Sequence, residues 1–189
     1  MTKYYGQDHY DGELPGMWTD QTVPLTATQH LKNLQDEWDR TITGEGGCCP
    51  VCGKFGKVYK YKLSQALGLA LKWIRDHAEE DGWVDVQTRG PRWMIRSKTY
   101  PLLAHWQFIE SKNARSGVWR VTELGRDFLS GFEVAPRAVY VYDNKVMALD
   151  AENISYRGCF GVRFDFEELM SDQFNWANVH LLERSDANA

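Results

Sequence analysis

The chain has 189 residues, 43% of them hydrophobic and 13% aromatic, with a formal charge of −4. This is ample for a core, and with no run of about 18 apolar residues it excludes a membrane-spanning helix. The opening MTKYYGQDHYDGE lacks the apolar stretch of a secretory signal. Three of the four cysteines are bunched at 48, 49 and 52, which is not a secreted disulfide framework, so the expected compartment is the cytosol, of a bacterium or of a virus's host.

The small net charge hides a segregation. Residues 1–52 hold 3 basic and 8 acidic side chains, residues 53–126 hold 14 and 7, and residues 127–189 hold 5 and 11. A basic middle between acidic arms points to a polyanion contact from the middle, unless folding lays arm carboxylates over it.

In chain order, residues 1–26 are poor in pattern, with Tyr4, Tyr5, Tyr10 and Trp18 among glycines and aspartates. They read either as an arm with aromatic anchors or as a lead segment. From Thr28 to Trp38, Leu31, Leu34 and Trp38 form one apolar stripe of a helix packed on the body. Gly44 to Gly47 reads as a linker, and a first segment, 1–46, ends there.

Cys48-Cys49-Pro50-Val51-Cys52-Gly53 follows. Two thiolates spaced by two residues in a tight turn can face one metal, and the glycine permits the backbone such a turn needs. Cys49 and Cys52, with Cys48 as a third candidate, are the expected ligands of a structural zinc. There is no second C-x-x-C. Cys159, His9, His30, His77, His105 and His180 are the other ligand types present, none at a diagnostic spacing. The alternatives are a knuckle kept only as a turn, and a redox pair.

Lys54, Lys57, Lys60 and Lys62 alternate with aromatics and valine, as in a strand with one basic face. That face either tracks phosphates or blunts a sheet edge. Leu63 to Asp81 is the clearest helix, with Leu63, Ala66, Leu67, Ala70, Ile74 and Ala78 as its core stripe. Gly82 stops it, and Trp83 to Val86 alternates as a short strand. Residues 87–97 carry Arg89, Arg92 and Arg96 and leave room for only a barely two-turn helix from Pro91.

Lys98 to Gly131 is the organising stretch. Thr99 is a helix N-cap candidate with Pro101 in the first turn. Leu102, Leu103, Trp106 and Ile109 face inward, and Lys98, Tyr100, His105 and Gln107 face out. A strand, a turn holding Lys112 and Arg115, the return strand Val118–Val121, and a helix capped by Thr122 and ended by Gly131 complete it. Leu67, Ile74, Leu103, Trp106, Val121 and Leu124 should share one core. The order of elements is that of a winged helix; a helix beside a hairpin in any small α+β domain is the plainer alternative. The fold expected is therefore α+β: a winged helix-turn-helix core at 47–134, an N-terminal helical arm, and a 135–189 segment with a β-hairpin and a short acidic helix. That hairpin, Ala138 to Tyr142 and Lys145 to Leu149, turns at Asp143-Asn144. Both its faces are apolar, so one should be buried and the other engaged. Phe164 to Met170 is the acidic helix.

The strings CPVCGKFGKVYKYKL, LLAHWQFIE, GVWRVTELGRDFLSG, AVYVYDNKVMAL and FDFEELM, in that order over roughly residues 48–170, resemble a group of small phage- and prophage-encoded winged-helix proteins. The resemblance implies a viral protein acting in a bacterial cytoplasm, and brings no biochemical activity with it. The missing second cysteine pair and the short second helix depart from its pattern.

Three functions follow. The first is regulatory binding of double-stranded DNA. Lys98, Tyr100, His105 and Gln107 would face the groove, with Arg89, Arg92 and Arg96 as nucleic-acid contacts just ahead of them, while Lys112 and Arg115 on the wing, with Lys54, Lys57, Lys60 and Lys62, would meet phosphates. A dimer is compatible with that use. The second is a phage-encoded inhibitor whose acidic arms and aromatics bind a host defence or transcription protein. The third, an enzyme, lacks support: there is no G-x-S-x-G, no P-loop and no H-E-x-x-H, so no enzymatic role is expected.

Overall fold

The computed structural model describes residues 26–114, 116–161, 164–171 and 174–176. Expectations for Tyr4, Tyr5, His9, Tyr10, Trp18, Arg115 and His180 lie outside them. The fold is mixed α+β, with helices and small antiparallel sheets, as the alternation of patterns leads one to expect.

Helix α1 (Ala27–Thr43) starts at a reciprocal cap: Thr26 Oγ1 accepts from Gln29 N–H and Gln29 Oε1 accepts from Thr26 N–H. Its apolar stripe is used only near the C-terminal end. Ile42 is buried and Trp38 half-buried, whereas Leu31 is 58% exposed, so the helix does not lie flat on the body along its length. Strands β1 (Gly47–Cys48) and β2 (Phe55–Gly56) pair as a small hairpin against this end. Gly56 lies so close to Trp38 and Ile42 that a Cβ would sit 2.6 Å from the indole.

The lysine–aromatic run breaks at Lys57-Val58, and only β3 (Tyr59–Lys62) joins the main sheet. There it pairs with β8 (Ala138–Tyr142), which pairs in turn with β9 (Lys145–Leu149), giving the order β3-β8-β9. Asp143 and Asn144 both have positive φ, 47° and 60°, the left-handed pair that a two-residue hairpin turn requires. Val139 and Val141 are buried. On the other face, Tyr142 meets Trp38 edge-on at 6.3 Å, so the hairpin is buried on one side and partly covered by α1 on the other. β7 (Ala135–Pro136) and β10 (Asn153–Ile154) pair just beyond it. Because β3 pairs with β8, the boundary expected at 134/135 runs through a shared sheet.

Helix α2 (Gln65–Asp76) is the centre of the core. It is five residues shorter at its C-terminus than the pattern suggests, because the turn at 77–83 is closed by Glu79 N–H to Trp83 O and Gly82 N–H to Glu79 O. Residues Leu67 through Ile74 are all buried, so the helix is covered all round rather than along one stripe. One side packs against the 100–106 segment, residues 118–121 and the helix at 123–130. The other receives Tyr156, Cys159 and Phe160, which crowd the backbone at Gly68, and Tyr156 Oη donates to Gly68 O at 3.3 Å. Even Lys72 is buried, ion-paired to Asp76 one turn on.

Strands β4 (Val84–Asp85), β5 (Ile109–Ser111) and β6 (Val118–Val121) form the second sheet, with β6 in the middle. Between β4 and β5 lie α3 (Val86–Arg89), α4 (Arg92–Ser97) and a 3-10 turn over Tyr100–Trp106. Asp85 caps α3 by accepting from Gln87 and Thr88 N–H. Gly90-Pro91 separates α3 from α4, so the expected second helix is two short pieces. Helix α5 (Glu123–Ser130) follows β6, capped by Thr122 Oγ1 on Gly125 N–H and ended by Gly131 in the left-handed conformation, as expected. Leu103, Trp106 and Val121 join Leu67 and Ile74 in the core; Leu124 does not, being 41% exposed on the outer side of α5. A short helix α6 (Phe166–Met170) is the last α-helix among the described residues, capped by Asp165 and seated through the buried Leu169.

Candidate nucleic-acid interface and cysteine knuckle

The segment 98–107 was expected to present one polar face. It is instead a 3-10 turn held between two residues in the left-handed region, Lys98 (φ 52°) and Gln107 (φ 60°), and three residues per turn spread side chains differently from an α-helix. Thr99 makes no side-chain cap. The correction that matters is Tyr100: it is buried, edge-on to Trp119 at 5.9 Å and 90°, and desolvation pushes its phenol pKa up. It cannot face a groove. His105 is half-buried with its ring 6.1 Å from that of Tyr61 and nearly parallel to it, and burial holds its pKa below the usual histidine value. Burial thus favours its neutral ring over the charged one. Gln107 is exposed, but it edges a shallow depression also lined by Ala104, Glu110, Glu123, Leu124 and Asp127. Glu123 and Asp127 there disfavour an approaching phosphate, while Glu110 is ion-paired with Arg120.

The basic side chains divide into engaged and open groups. Arg89 pairs with Glu79 at 2.9 Å, and Lys60 with Asp150 at 3.1 Å while lying 5.0 Å over the Tyr140 ring. Tyr140 and then Asp150 raise the Lys60 pKa, and Lys60, with the backbone N–H of Glu152, lowers that of Asp150. Lys112 lies 5.7 Å over Trp83, a ring it shares with Arg120. Arg92, Arg96 and Lys98 are exposed, as are Lys54 and Lys62, while Lys57 is half-buried; among the described residues no carboxylate comes within ion-pair distance of any of these six. Arg92 and Arg96 are one helical turn apart on α4 and so share a face, and Lys98 follows directly. The loop 112–117 is anchored at its base rather than free: Lys112 N–H donates to Val118 O, Val86 N–H to Gly117 O, and Gly117 (φ 70°) packs against the Gln87 side chain. Arg115, on this loop, lies outside the described residues.

Sequence reasoning did not foresee the row of near-parallel rings Tyr59, Tyr61 and His105. The i, i+2 tyrosines on one strand face were visible; their histidine partner is distant in sequence.

The cysteines sit in a real knuckle. Cys49 N–H donates to Lys54 O and Gly53 N–H to Cys49 O, both at 2.8 Å, with Gly53 at φ 69°. Backbone hydrogen bonding by Cys52 and then Val51, with the Cys52 thiol, holds the Cys49 pKa below the usual thiol value. Cys48 and Cys52 are exposed and Cys49 partly so. Cys159 is far from them in function: it is buried in the core, bonded to Ser155 O at 3.6 Å, and burial pushes its thiol up to about 12. Among the described residues no three histidine, cysteine or acidic side chains converge on one point, and no helix is long and apolar enough to cross a membrane. No family model, curated protein or solved structure matches the chain.

Proposed function

We propose that the chain is a regulatory DNA-binding protein on a winged-helix core, of the phage type its motifs resemble, acting in a bacterial cytoplasm. The observation that carries the reading is the connectivity of the second sheet. A helix (α2), a strand (β4), helical segments, a strand (β5), a loop and a central return strand (β6) follow in that order, with β6 between β4 and β5. This order is the one expected of a winged helix and supports that reading, under which the helical segment before β5 would approach DNA and the β5–β6 loop would form the wing.

The mode of contact differs from groove reading. Tyr100 is buried, His105 is half-buried and stacked, and Gln107 stands among carboxylates. The available donors are cationic: Arg92, Arg96 and Lys98, with Lys54, Lys57 and Lys62 as secondary contacts; Lys112, at the base of the β5–β6 loop, lies over Trp83, and Arg115 is added by the sequence alone. Such a set grips phosphates and discriminates little between sequences. Binding of a labelled duplex of arbitrary sequence tests this. Raising salt from about 50 to about 200 mM should weaken binding roughly a hundredfold if about four phosphates are neutralised. An absence of binding at low salt would overturn it. The inhibitor reading would then take over, favoured by the acidic depression at Glu110, Glu123 and Asp127 as a seat for a basic host-protein surface.

A further inference from the structure

The lysine–aromatic run at 54–62 stands at the margin of the duplex contact through α4. Its register in the main sheet places its side chains. Tyr59 and Tyr61 pair with Val141 and Val139 on β8, and Lys60 and Lys62 pair with Tyr140 and Ala138. Successive residues of a strand point to opposite faces, so the two tyrosines share one face and the two lysines the other. The tyrosine rings lie 6.4 Å apart and 23° from parallel, and His105 continues the row 6.1 Å beyond Tyr61 at 9°. Tyr61 and His105 are half-buried and anchor the row, whereas Tyr59, at its outer end, is 50% exposed. Because β3 is an edge of its sheet, a ligand lying along it can meet both faces. Lysines on an edge keep other strands away, but that purpose does not account for a row of flat rings ending in an exposed one. The cations are also open. Among the described residues no carboxylate pairs with Lys54, Lys57 or Lys62, and only Lys60 is offset, by Asp150.

We propose that this edge binds a single-stranded nucleic acid, with an unpaired base stacked on Tyr59 and the backbone phosphates held by Lys57 and Lys62, with Lys54 beyond them. Every base has a π-face, so stacking of this kind tolerates any sequence. An ammonium group meets a phosphate as a point charge and reads no base. A duplex keeps its bases within its own stack and offers Tyr59 none. The site is therefore distinct from the one on α4, and it stands or falls without duplex binding.

The test is the fluorescence anisotropy of labelled oligo-dT and oligo-U, each of roughly 12 nucleotides, with the full-length chain at low salt. Both strands should bind, and the tighter of the two names the source, DNA or RNA. Tyr59→Ala should weaken binding roughly five- to hundredfold, the range for losing one base–aromatic stack. Tyr59→Phe keeps the ring and should bind as the parent does. Tyr59 is half exposed, so neither change threatens the fold. Lys62→Ala should flatten the slope of log Kobs against log salt by about 0.7, the single-strand value for one phosphate. On duplex DNA, Tyr59→Ala should behave as the parent, so failure of the duplex reading leaves the single-strand measurement intact. No binding of either strand at low salt, unchanged affinity in Tyr59→Ala, or an equal loss in Tyr59→Ala and Tyr59→Phe would each overturn the proposal.

Discussion

The indole Nε1 of Trp106 donates to the backbone carbonyl of Pro136 at 2.7 Å. This one bond ties the end of the 3-10 turn to β7, and through β7 to the hairpin that carries the main sheet. It explains why the 100–106 segment is seated in the body rather than presented. Trp106→Ala should cost about 3–5 kcal/mol by denaturant unfolding, as large aromatic truncations in cores do. Trp106→Phe keeps most of the packing and leaves the Pro136 carbonyl without its donor, so about 1–3 kcal/mol should be lost. Equal losses in the two variants would mean that the hydrogen bond contributes as much as the whole ring, against this account.

Gly125 sits in the first turn of α5 where a Cβ would come 2.3 Å from the backbone oxygen of Phe108. That carbonyl also accepts from Thr122 N–H, so it cannot easily retreat. In an ordinary helix Gly→Ala stabilises by about 1 kcal/mol. Here Gly125→Ala should destabilise by about 1–3 kcal/mol, the usual result of overpacking. A Tm at or above that of the parent would show that the helix and the β5 end can separate at little cost.

Much of this architecture is legible in the sequence, and the parts that are not share a cause. The Asp143-Asn144 turn, the Thr122 and Gly131 caps and the α2 core stripe are local signals, set by turn chemistry and period, and they are where expected. The failures are tertiary. Tyr100 is polar-tipped and reads as outward, yet Trp119 on β6 covers it. Leu124 fits an apolar pattern but faces solvent because Gly125, Phe128 and Leu129 turn the other side of α5 inward. The second buried side of α2 depends on Tyr156 and Phe160, too distant to be anticipated from Leu69, Leu71 and Trp73 alone. For the candidate site, the cluster Arg92, Arg96 and Lys98 is legible as charge. That Arg89 and Lys60 are engaged by Glu79 and Asp150 is visible only in three dimensions.

His105 makes folding pH-dependent in a defined direction. Burial lowers its pKa in the folded chain below the unfolded value of about 6.5. In the window between the two values the unfolded chain holds the extra proton. This contribution to stability is thus complete above about pH 6.5 and is lost as pH falls through the window to the folded pKa. His105→Phe keeps a ring beside Tyr61 and removes the titration. The variant should therefore gain on the parent in urea midpoint between pH 8 and pH 5. A constant difference across that range would show that His105 is not the group responsible.

The central claim is that duplex DNA is held through phosphates by the open cations of α4 and its C-terminal cap. The most direct measurement compares the slope of log Kobs against log salt for the parent and for the triple variant Arg92→Ala/Arg96→Ala/Lys98→Ala on one duplex, repeated on a duplex of unrelated sequence. Each phosphate contact removed should flatten the slope by about 0.9. The account predicts a slope shallower by roughly 2–3, with the loss of affinity equal on both duplexes. Lys60→Ala, whose ammonium is paired with Asp150, should change the slope little. An unchanged slope in the triple variant would contradict the account, as would a loss confined to one of the two sequences.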